Sequence, residues 1–428
     1  MAPALTFFFP YREVSGCPVL FSMLARHLAA TGRGPIRVVD YADGYMARVL
    51  RGEEGVELQR FEVGVPCRVG PGGTLVLQSG LPYAMRPELW IHPDTRVVFW
   101  HLFPYNLVHT LLPLPLLRHW QFAVPGAYQL LMRRLVPDLR RALQGYVSLQ
   151  VHHRALFFPE RSCIETTERL LEVAVPDPVI IAMPAEPPPP RLPRAPRTAV
   201  LELGWIGRLA DFKMPILLHT LERVSEYARH RKRTVRFHVI GDGPLAHQVD
   251  RLSLDPLVEL VRLGAIEPPA LDDYVLEHLQ LVFAMGLSVV NVARLRIPAV
   301  VLDISYQPIR GRYAFRWFFD RDPQVSDDTG HEIRPHDLEA APGMDTLAAI
   351  LHRLDAAPQE LAERSFRHYE RHHALDQVAS QLLTVSANAT LRFGDIDPRL
   401  LRRSLPRRLR DRARAVRAAL SARPKPYT

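Results

Sequence analysis

A proline-rich stretch divides this chain into two parts that share one local pattern. Residues 185–198 contain six prolines, and proline fits neither a helix interior nor the middle of a sheet. We therefore expect an extended, stiff connector at this place. On both sides of it, short apolar runs alternate with segments of helical periodicity, and this alternation predicts parallel sheets covered by helices. The predicted fold class is α/β, with two doubly wound Rossmann-like domains that face each other across a cleft.

The same alternation predicts where the domains and their main elements lie. We expect a first Rossmann-like domain over 1–184, the linker over 185–198, a second Rossmann-like domain over 199–385, and a C-terminal helical segment with a basic tail over 386–428. Strands are predicted over residues 4–9, 36–40, 74–78, 96–100, 145–149, 179–182, 199–206, 235–240, 258–263, 281–283 and 299–303. Helices are predicted over residues 17–30, 127–143, 215–229 and 288–296, with shorter ones between.

The positive charge of the chain is concentrated at its C-terminal end. The formal net charge is +9. Residues 399–428 hold eleven basic residues and one acid, Asp411, so the rest of the chain is close to neutral. Such a tail can bind an anionic membrane surface, or it can be a solvated helical end. Nucleic acid is the least favoured partner, because no aromatic residue on which bases could stack precedes Tyr427 in the tail.

Cysteine usage and the N-terminus indicate a cytoplasmic protein. Cys17, Cys67 and Cys163 are too few and too scattered for a disulfide framework or a Cys-x-x-Cys metal site. This usage suits a reducing compartment. The N-terminus has no basic residue before its first apolar run, so we interpret that run as a core strand and not as a secretion signal.

Three glycine-bearing turns follow predicted strands in the second half of the chain. The first runs from Gly207 to Lys213 and includes Arg208; Lys213 is one of only three lysines, against 51 arginines. The second is Gly241-Asp242-Gly243-Pro244, and the third is Ala284-Met285-Gly286-Leu287-Ser288. Where a parallel strand gives way to a helix, such turns aim backbone N–H groups and cations at phosphate. The alternative without a ligand is that Arg208 and Lys213 are two surface cations beside a helix start, and that the third turn is an ordinary cap on a core helix.

The order and intervals of these turns resemble the C-terminal half of a retaining nucleotide-sugar glycosyltransferase of the family 4 type, which has the GT-B fold. The resemblance covers residues 200–305 and is weaker over residues 4–182. It implies an enzyme, a hexosyltransferase of the kind used in bacterial polysaccharide biosynthesis. Such an enzyme moves a sugar from a nucleotide-sugar donor to a growing bacterial glycan, here expected to be lipid-linked, with retention. The resemblance implies neither a metal nor another cofactor.

The resemblance also assigns roles to residues of the second domain, which would bind the nucleotide-sugar. Arg208 and Lys213 would be catalytic, because two fixed cations stabilise a leaving diphosphate as its charge grows. Ser288 is expected to cap the helix over 289–296, and Asn291 is expected to contact the donor ribose. The donor-binding residues that the resemblance implies are Gly16, Gly207, Gly241, Gly264, Gly286, Leu287, Ser288 and Asn291.

The sequence departs from the family in one respect. Family members carry two glutamates eight positions apart, and the matching residues here are Phe283 and Asn291. Phenylalanine cannot contact a sugar hydroxyl, and a neutral amide binds one more weakly than a carboxylate does. This departure favours an alternative function, a catalytically silent glycosyltransferase-like subunit that binds a partner enzyme or a glycan. A nucleotide-sugar epimerase of the same fold is a second alternative.

The first domain is expected to face the acceptor. His101 resembles the cleft histidine that many family members place beside the transferred sugar, where a neutral imidazole can orient or deprotonate a hydroxyl; a core histidine is the alternative. Residues 97–117 contain no Asp, Glu, Lys or Arg but include three prolines and two histidines, which favours a buried strand and an apolar loop over a membrane span. Residues 109–131 combine large apolar side chains with flanking arginines, so we expect peripheral contact with the inner face of the cytoplasmic membrane.

Overall fold

The protein folds into two parallel β-sheets with helices packed against them, together with a small two-stranded sheet. The structure is a computed structural model, and it confirms the predicted α/β class. It describes residues 4–79, 88–103, 106–107, 125–135, 137–191, 193, 200–267, 270–310, 312–323, 327, 329–333, 338 and 346–398. The basic tail over 399–428 and residues 108–124 and 194–199 therefore lie outside the described residues.

The strands of the first half form one large sheet and one small pair. They are β1 (Ala4–Phe8), β2 (Ile36–Asp40), β3 (Val56–Arg60), β4 (Cys67–Val69), β5 (Gly73–Gln78), β6 (Leu89–Ile91), β7 (Arg96–Trp100), β8 (Leu156–Phe158) and β9 (Val179–Ile180). Seven of them form a parallel sheet in the order β3-β2-β1-β5-β7-β8-β9, and β4 pairs with β6. The central strands carry side chains without exposed surface, such as Leu5 and Val98, as parallel strands covered on both faces require.

Helices cover this first sheet, and one of them corrects the sequence prediction. The helices are α1 (Gly16–Ala30), α2 (Tyr45–Val49), α3 (Pro125–Leu135), α4 (Pro137–His152) and α5 (Arg161–Leu171). The strand predicted over 145–149 is wrong, because those residues lie inside α4. Its fully buried side chains Leu143, Tyr146, Val147 and Gln150 recur at intervals of three and four, which is the period of a helix face. The strand is formed later, by β8.

The single helix predicted over 127–143 is also wrong, since that range contains the end of α3 and the start of α4. Pro137 is the first residue of α4. Proline lacks an N–H and cannot continue a preceding helix, but it fits the first position of a new one.

The second sheet is built from the strands that follow the linker. They are β10 (Leu201–Ile206), β11 (Val235–Ile240), β12 (Val258–Gly264), β13 (Leu281–Ala284), β14 (Ala299–Val301) and β15 (Arg316–Trp317). Their order is β12-β11-β10-β13-β14-β15, and all neighbours are parallel except β15, which runs antiparallel to β14. The chain order reverses between β10 and β13, and this is the place where ligands of doubly wound sheets bind, beyond the carboxyl ends of the strands.

The remaining helices cover the second sheet, with one exception at the C-terminal end. They are α6 (Met214–Arg231), α7 (Ala246–Asp250), α8 (Ala270–His278), α9 (Leu287–Ala293), α10 (Leu347–Ala356), α11 (Pro358–His372) and α12 (Leu375–Asn388). Helix α12 packs against the first core through Leu375, Val378 and Leu382, and the predicted domain boundary at residue 385 falls within it. No helix in the described part of the chain combines the length and apolar character needed to cross a bilayer.

Candidate functional site

Three loops at the carboxyl end of the second sheet are tied together by backbone hydrogen bonds. The Gly207 N–H donates to the Ile240 carbonyl over 3.0 Å, and the Gly241 N–H donates to the Gly264 carbonyl over 2.7 Å. Gly207 and Gly241, which follow β10 and β11, and Gly264, the last residue of β12, therefore lie side by side. Parallel strands that end at one edge bring such loops together.

Gly241 and Gly243, in the loop after β11, are required by the close approach of two backbones. A Cβ atom on Gly241 would lie 2.1 Å from the Gly207 carbonyl oxygen, and φ at Gly241 is +131°. A Cβ atom on Gly243 would lie 2.3 Å from the Leu209 carbonyl oxygen. Any side chain at these places would separate the loops after β10 and β11, so the glycines hold the cation-bearing loop in position.

Lys213 and Arg208 stand in the loop after β10, and Lys213 immediately precedes α6. The Lys213 ammonium folds back over Gly207, since a Cβ atom built there would lie 3.3 Å from Nζ. Burial, and after it the charge of Arg208, lower the pKa of Lys213 to about 8. Within the described residues, neither cation has a carboxylate within ion-pair distance. Two neighbouring cations without an acidic partner favour an anion beside them.

Aromatic side chains connect this loop with the first sheet. Phe212, next to Lys213, lies 5.9 Å from Phe103 and 6.1 Å from Tyr306, measured between ring centroids. Phe103 follows β7 of the first sheet, and Tyr306 follows β14 of the second. Phe103 and Tyr306 each pack against both hydrophobic cores. The loop that carries Lys213 therefore lies where the two sheets meet at the carboxyl ends of their strands.

His101, the predicted acceptor-side residue, directly follows β7 and has no exposed surface. Its Nδ1 lies 2.8 Å from the Ser79 hydroxyl, and its backbone N–H donates to the Phe157 carbonyl. Its ring therefore lies inside the first core, two residues before the interface residue Phe103. Gly16 is the exposed first residue of α1, and a Cβ atom added there would meet nothing within 4 Å.

The turn before α9 corrects the prediction for Ser288. The residue at the N-cap is Gly286, with φ of +61°, and no side chain caps the helix. Leu287 is the first helical residue and Ser288 the second, so Ser288 lies inside the first turn. The Gly286 N–H is already used, because it donates to the Thr329 carbonyl over 2.7 Å. The amides of Leu287 and Ser288 remain the first-turn N–H groups, for which the helix itself offers no acceptor.

The two positions that carry glutamate in the family differ in their surroundings. Phe283 lies in β13 without exposed surface and stacks 6.1 Å from Phe237. Asn291 is half-buried in α9, and its Oδ1 accepts a hydrogen bond from Arg294 Nε over 3.3 Å. Arg294 in turn forms a buried ion pair of 2.5 Å with Asp272. The Asn291 carbonyl thus accepts one hydrogen bond from the protein, which leaves its second lone pair and the amide N–H groups for a ligand.

Buried polar contacts between the two sheets were not predicted from the sequence. Glu160, at the N-cap of α5, accepts a hydrogen bond from the Thr329 hydroxyl over 2.8 Å. The Ser162 N–H, in the first turn of the same helix, donates to the Asp327 carboxylate over 2.6 Å. Because Thr329 also accepts from Gly286, this segment links the first sheet's helix to the turn before α9. Partners that stand 165 and 169 residues apart leave no local signal in a sequence.

The described residues contain no group of three or more His, Cys, Asp or Glu side chains placed to hold a metal ion. That the protein requires no metal stays a prediction.

The arrangement of the two sheets defines a class of protein. Two Rossmann-like units that meet at the carboxyl ends of their parallel strands form a GT-B-like architecture. No family model and no curated protein sequence matches the chain. The comparison therefore rests on solved structures.

Three solved structures are similar to this chain over most of its length. A glycosyltransferase from Rickettsia africae has a TM-score of 0.51 and 8% identity, over 90% of this chain and 98% of that one. Anabaena HepE (Alr3699), solved with UDP-glucose, has a TM-score of 0.49 and 11% identity, over 90% and 99%. WaaG, a glycosyltransferase involved in lipopolysaccharide biosynthesis, has a TM-score of 0.46 and 12% identity, over 89% and 99%. The Rickettsia structure, with its TM-score of 0.51, shows the fold alone, and it confirms the predicted GT-B-like fold.

Proposed function

We propose that this protein is a glycosyltransferase of the family 4 type, a hexosyltransferase that moves a sugar from a nucleotide-sugar donor to a growing, lipid-linked bacterial glycan with retention. The observation that carries the proposal is the pair of cations Arg208 and Lys213. They stand at the carboxyl end of the second sheet without an acidic partner in the described residues, beside aromatic residues that reach the first sheet. The Rickettsia structure of the same fold is a glycosyltransferase, which agrees with this function.

The two cations would act on the leaving group. When the bond between sugar and diphosphate breaks, negative charge grows on the diphosphate, and fixed cations stabilise that state more than the ground state. Arg208 can hold two phosphate oxygens at once, whereas Lys213 acts as a compact charge. With a pKa of about 8, Lys213 is mostly protonated at neutral pH, and a bound diphosphate would raise its pKa further.

The rest of the donor would lie along the glycine loops. The N–H groups of Gly207 and Gly241 are bonded to neighbouring loops, so these glycines and Gly264 would border the nucleotide without a side chain in its way. The amides of Leu287 and Ser288 stand beyond the end of β13, at the same edge of the sheet. Asn291 would contact a ribose hydroxyl through its amide N–H groups or through the lone pair of Oδ1 that Arg294 does not use. A neutral amide would then take the place of the glutamate carboxylate, and the proposal requires no metal.

The acceptor would approach from the first sheet. The half-buried rings of Phe103, Phe212 and Tyr306 offer apolar faces beside Lys213 on which a sugar ring can pack. Helix α3 exposes Leu130 and Leu135 next to two arginines, as a helix that rests on an anionic membrane does. The protein would accordingly work at the inner face of the cytoplasmic membrane, near a lipid-linked acceptor.

The first experiment is a thermal-shift screen of the full chain against UDP, GDP, ADP, TDP and CMP. We expect one nucleoside diphosphate to raise the unfolding temperature, and we expect Arg208→Ala and Lys213→Ala to abolish the shift. Lys232→Ala is the matched control, because Lys232 is an exposed lysine at the other end of α6. If no nucleotide binds, or if the control variant loses binding equally, the proposed site is wrong.

The second candidate is a catalytically silent subunit of the same fold, and the buried Phe283 together with Asn291 favours it. Transfer of radiolabelled sugar from the nucleotide-sugar identified in the screen decides between the two. Transfer that disappears in Lys213→Ala supports the enzyme. Nucleotide binding without transfer to any membrane-derived acceptor, and without release of free sugar, supports the silent subunit.

A further inference from the structure

Arg294 is a buried cation next to the proposed nucleotide site. It is 5% exposed and directly follows α9. It stands three positions after Asn291, and residues at that spacing are neighbours on one side of a helix. An arginine is almost never fully buried unless its guanidinium is paired. The groups that accept from Arg294 therefore indicate what this side chain does.

The guanidinium of Arg294 donates to three acceptors through three different nitrogens. Nη2 pairs with the Asp272 carboxylate of α8 over 2.5 Å. Nη1 donates to the Pro187 carbonyl of the linker over 3.3 Å. Nε donates to Asn291 Oδ1 over 3.3 Å. Because the guanidinium is planar and rigid, its contacts with α8 and the linker also fix the direction of the N–H that reaches Asn291.

This third contact determines how the Asn291 amide is turned. A guanidinium donates hydrogen bonds and accepts none, so the amide atom that faces Arg294 has to be the oxygen. The amide nitrogen then points away from Arg294, and within the described part of the chain it has no hydrogen-bond partner. Side chains of a helix lean towards its N-terminus, so this amide lies on the side of the first turn of α9.

We infer that Arg294 is a positioning residue for the donor nucleotide, because it turns Asn291 so that the amide N–H groups are presented to a ribose hydroxyl. The inference rests on the proposed function and adds a residue that acts only through Asn291. The terminal torsion of a free asparagine side chain is broad and roughly two-fold. Arg294 selects one of the two orientations, so less conformational freedom is lost when the ribose binds.

The experiment compares a nucleotide that has its ribose hydroxyls with one that lacks them. The first probe is the nucleotide among UDP, GDP, ADP, TDP and CMP that raises the unfolding temperature of the full chain. The second probe is its 2′,3′-dideoxy counterpart. Titration calorimetry gives the two dissociation constants, and their ratio reports the contact with the ribose separately from the contacts with the phosphates.

Two variants test the role of Arg294. Arg294→Lys keeps a charge for Asp272 but loses the rigid fork that reaches three acceptors. Asp272→Asn/Arg294→Met removes both charges of the pair, so no buried charge stays unpaired if the first variant folds poorly. The control is Arg296→Lys, because Arg296 also lies just after α9 but pairs with Glu363 of α11.

We expect the wild-type protein and Arg296→Lys to bind the ribose form about fivefold or more tightly than the dideoxy form, as a hydrogen bond in a binding site contributes. In both Arg294 variants the ratio should fall to about twofold or less, while the affinity for the dideoxy form stays the same. Asn291→Ala should lose the ratio as well. Adding Arg294→Lys to Asn291→Ala should change nothing further, because residues that act through one contact are not additive.

An unchanged ratio in both Arg294 variants overturns the inference. Equal loss of affinity for the two nucleotides overturns it too, because that is the effect of a structural role alone. A further loss of the ratio when Arg294→Lys is added to Asn291→Ala would show that Arg294 acts independently of Asn291. A wild-type protein that binds both probes equally contradicts the inference but not the proposed function. A wild-type protein that binds none of the five nucleotides overturns both.

Discussion

Burial and the neighbouring Arg208 lower the pKa of Lys213 to about 8, so this side chain changes its charge near physiological pH. A lysine of an unfolded chain titrates near 10.5, and the unfolded state therefore binds more protons between pH 8 and 10.5. Folding therefore disfavours the charged form of Lys213. Through this group, the free energy of unfolding of the protein rises with pH between pH 8 and 10.5. A bound diphosphate has the opposite effect on Lys213, because its negative charge favours the protonated ammonium.

We predict that nucleoside diphosphate affinity is constant below about pH 8 and falls as the pH rises further. The free protein loses the Lys213 proton first, so binding must then take up a proton, and affinity drops by up to tenfold per pH unit. In Lys213→Arg the guanidinium stays charged, and affinity should remain flat to pH 10. Calorimetric titrations from pH 6.5 to 10 measure this. An identical pH profile in the two proteins would contradict a role for the ammonium.

Two glycines of this chain should respond to alanine in opposite directions. Gly241 has φ of +131° and almost touches the Gly207 carbonyl, so Gly241→Ala should lower the free energy of unfolding by about 2–4 kcal/mol and weaken nucleotide binding. Gly145 lies inside α4, and a Cβ atom there would meet nothing within 4 Å. Gly145→Ala should therefore stabilise the protein by about 0.5–1 kcal/mol. Urea unfolding of the two variants tests both signs, and destabilisation by Gly145→Ala would count against the helix at 145–149.

Among the elements, Asp303 joins the end of β14 to β15 through a buried network. It lies two residues after β14, is 1% exposed, and contacts Arg316 of β15 with both oxygens at 2.5 Å. It also accepts from the Tyr313 hydroxyl over 2.9 Å. Burial alone would raise the pKa of Asp303, but the charges of Arg316 and His331 outweigh it and hold that pKa well below its usual value. Strand β15 has only two residues to pair with β14. We therefore attribute its position mainly to the network around Asp303.

We predict that Asp303→Asn costs about 3–5 kcal/mol of unfolding free energy, because it leaves the buried Arg316 charge uncompensated. The matched control is Arg12→Ala, which removes an ion pair to Asp43 whose side chains are 57% and 65% exposed. Such pairs contribute about 0–1 kcal/mol. Urea unfolding curves of the two variants provide the comparison. Equal, small effects would show that the network does not hold the edge strand.

A strand or helix can be predicted from the sequence when residues within or next to it determine its structure. Strands β2 and β11 were predicted at their observed limits, because their apolar runs are bounded by turn residues. The error at 145–149 arose because a short apolar run fits either a strand or one side of a buried helix. Only the packing of α4 against the sheet, through side chains at intervals of three and four, decides between them. The three-residue strands β4 and β6 exist through pairing with each other, which no local pattern records.

The whole molecule depends on contacts between its two halves, and these were the least predictable part of the candidate site. The glycine loops could be predicted because each lies within a few residues of its own strand. The contacts of Phe103 with Phe212, and of Glu160 with Thr329, join residues more than 100 positions apart. The hydrogen bond from the Gly286 N–H to Thr329, and the one from Arg294 to the Asn291 carbonyl, are also visible only in the fold. Sequence therefore predicts the loops of the candidate site, whereas the fold decides which of their groups are available.

We predict that the segment around Thr329 couples the two halves to the proposed nucleotide site. Thr329→Val removes the hydroxyl that donates to the buried Glu160 carboxylate, and this should cost about 1–3 kcal/mol of unfolding free energy. The backbone carbonyl of residue 329 accepts from the Gly286 N–H, and we expect it to shift once the side chain no longer holds the segment. Nucleoside diphosphate affinity should then fall as well. The control is Thr384→Val on the exposed side of α12, which should change stability by less than about 0.5 kcal/mol. Loss of stability in Thr329→Val with unchanged affinity would separate the contact from the site.

Two features of the molecule suit contact with a membrane, the basic C-terminal segment and the exposed end of α3. Residues 399–428 carry eleven basic residues, and α3 exposes 61% of Leu135 beside Arg133 and Arg134. Basic residues near an anionic surface contribute about 1 kcal/mol each, and an apolar side chain inserted beside them adds to the binding. The full chain should therefore float with vesicles that contain anionic lipid, and far less with neutral vesicles.

Deletion of 399–428 should reduce this flotation by about tenfold or more, and Leu135→Glu should reduce it further, while raised salt weakens the contribution of the tail. Val63→Glu is the matched control, because Val63 is 59% exposed but lies between β3 and β4. Flotation that persists after both changes would place the membrane contact elsewhere or exclude it. Equal loss in Val63→Glu would show a general effect of added acid. Selective loss through the tail and α3 would instead mean that the acceptor side of the cleft is held against the lipid surface, where a lipid-linked acceptor has to be reached.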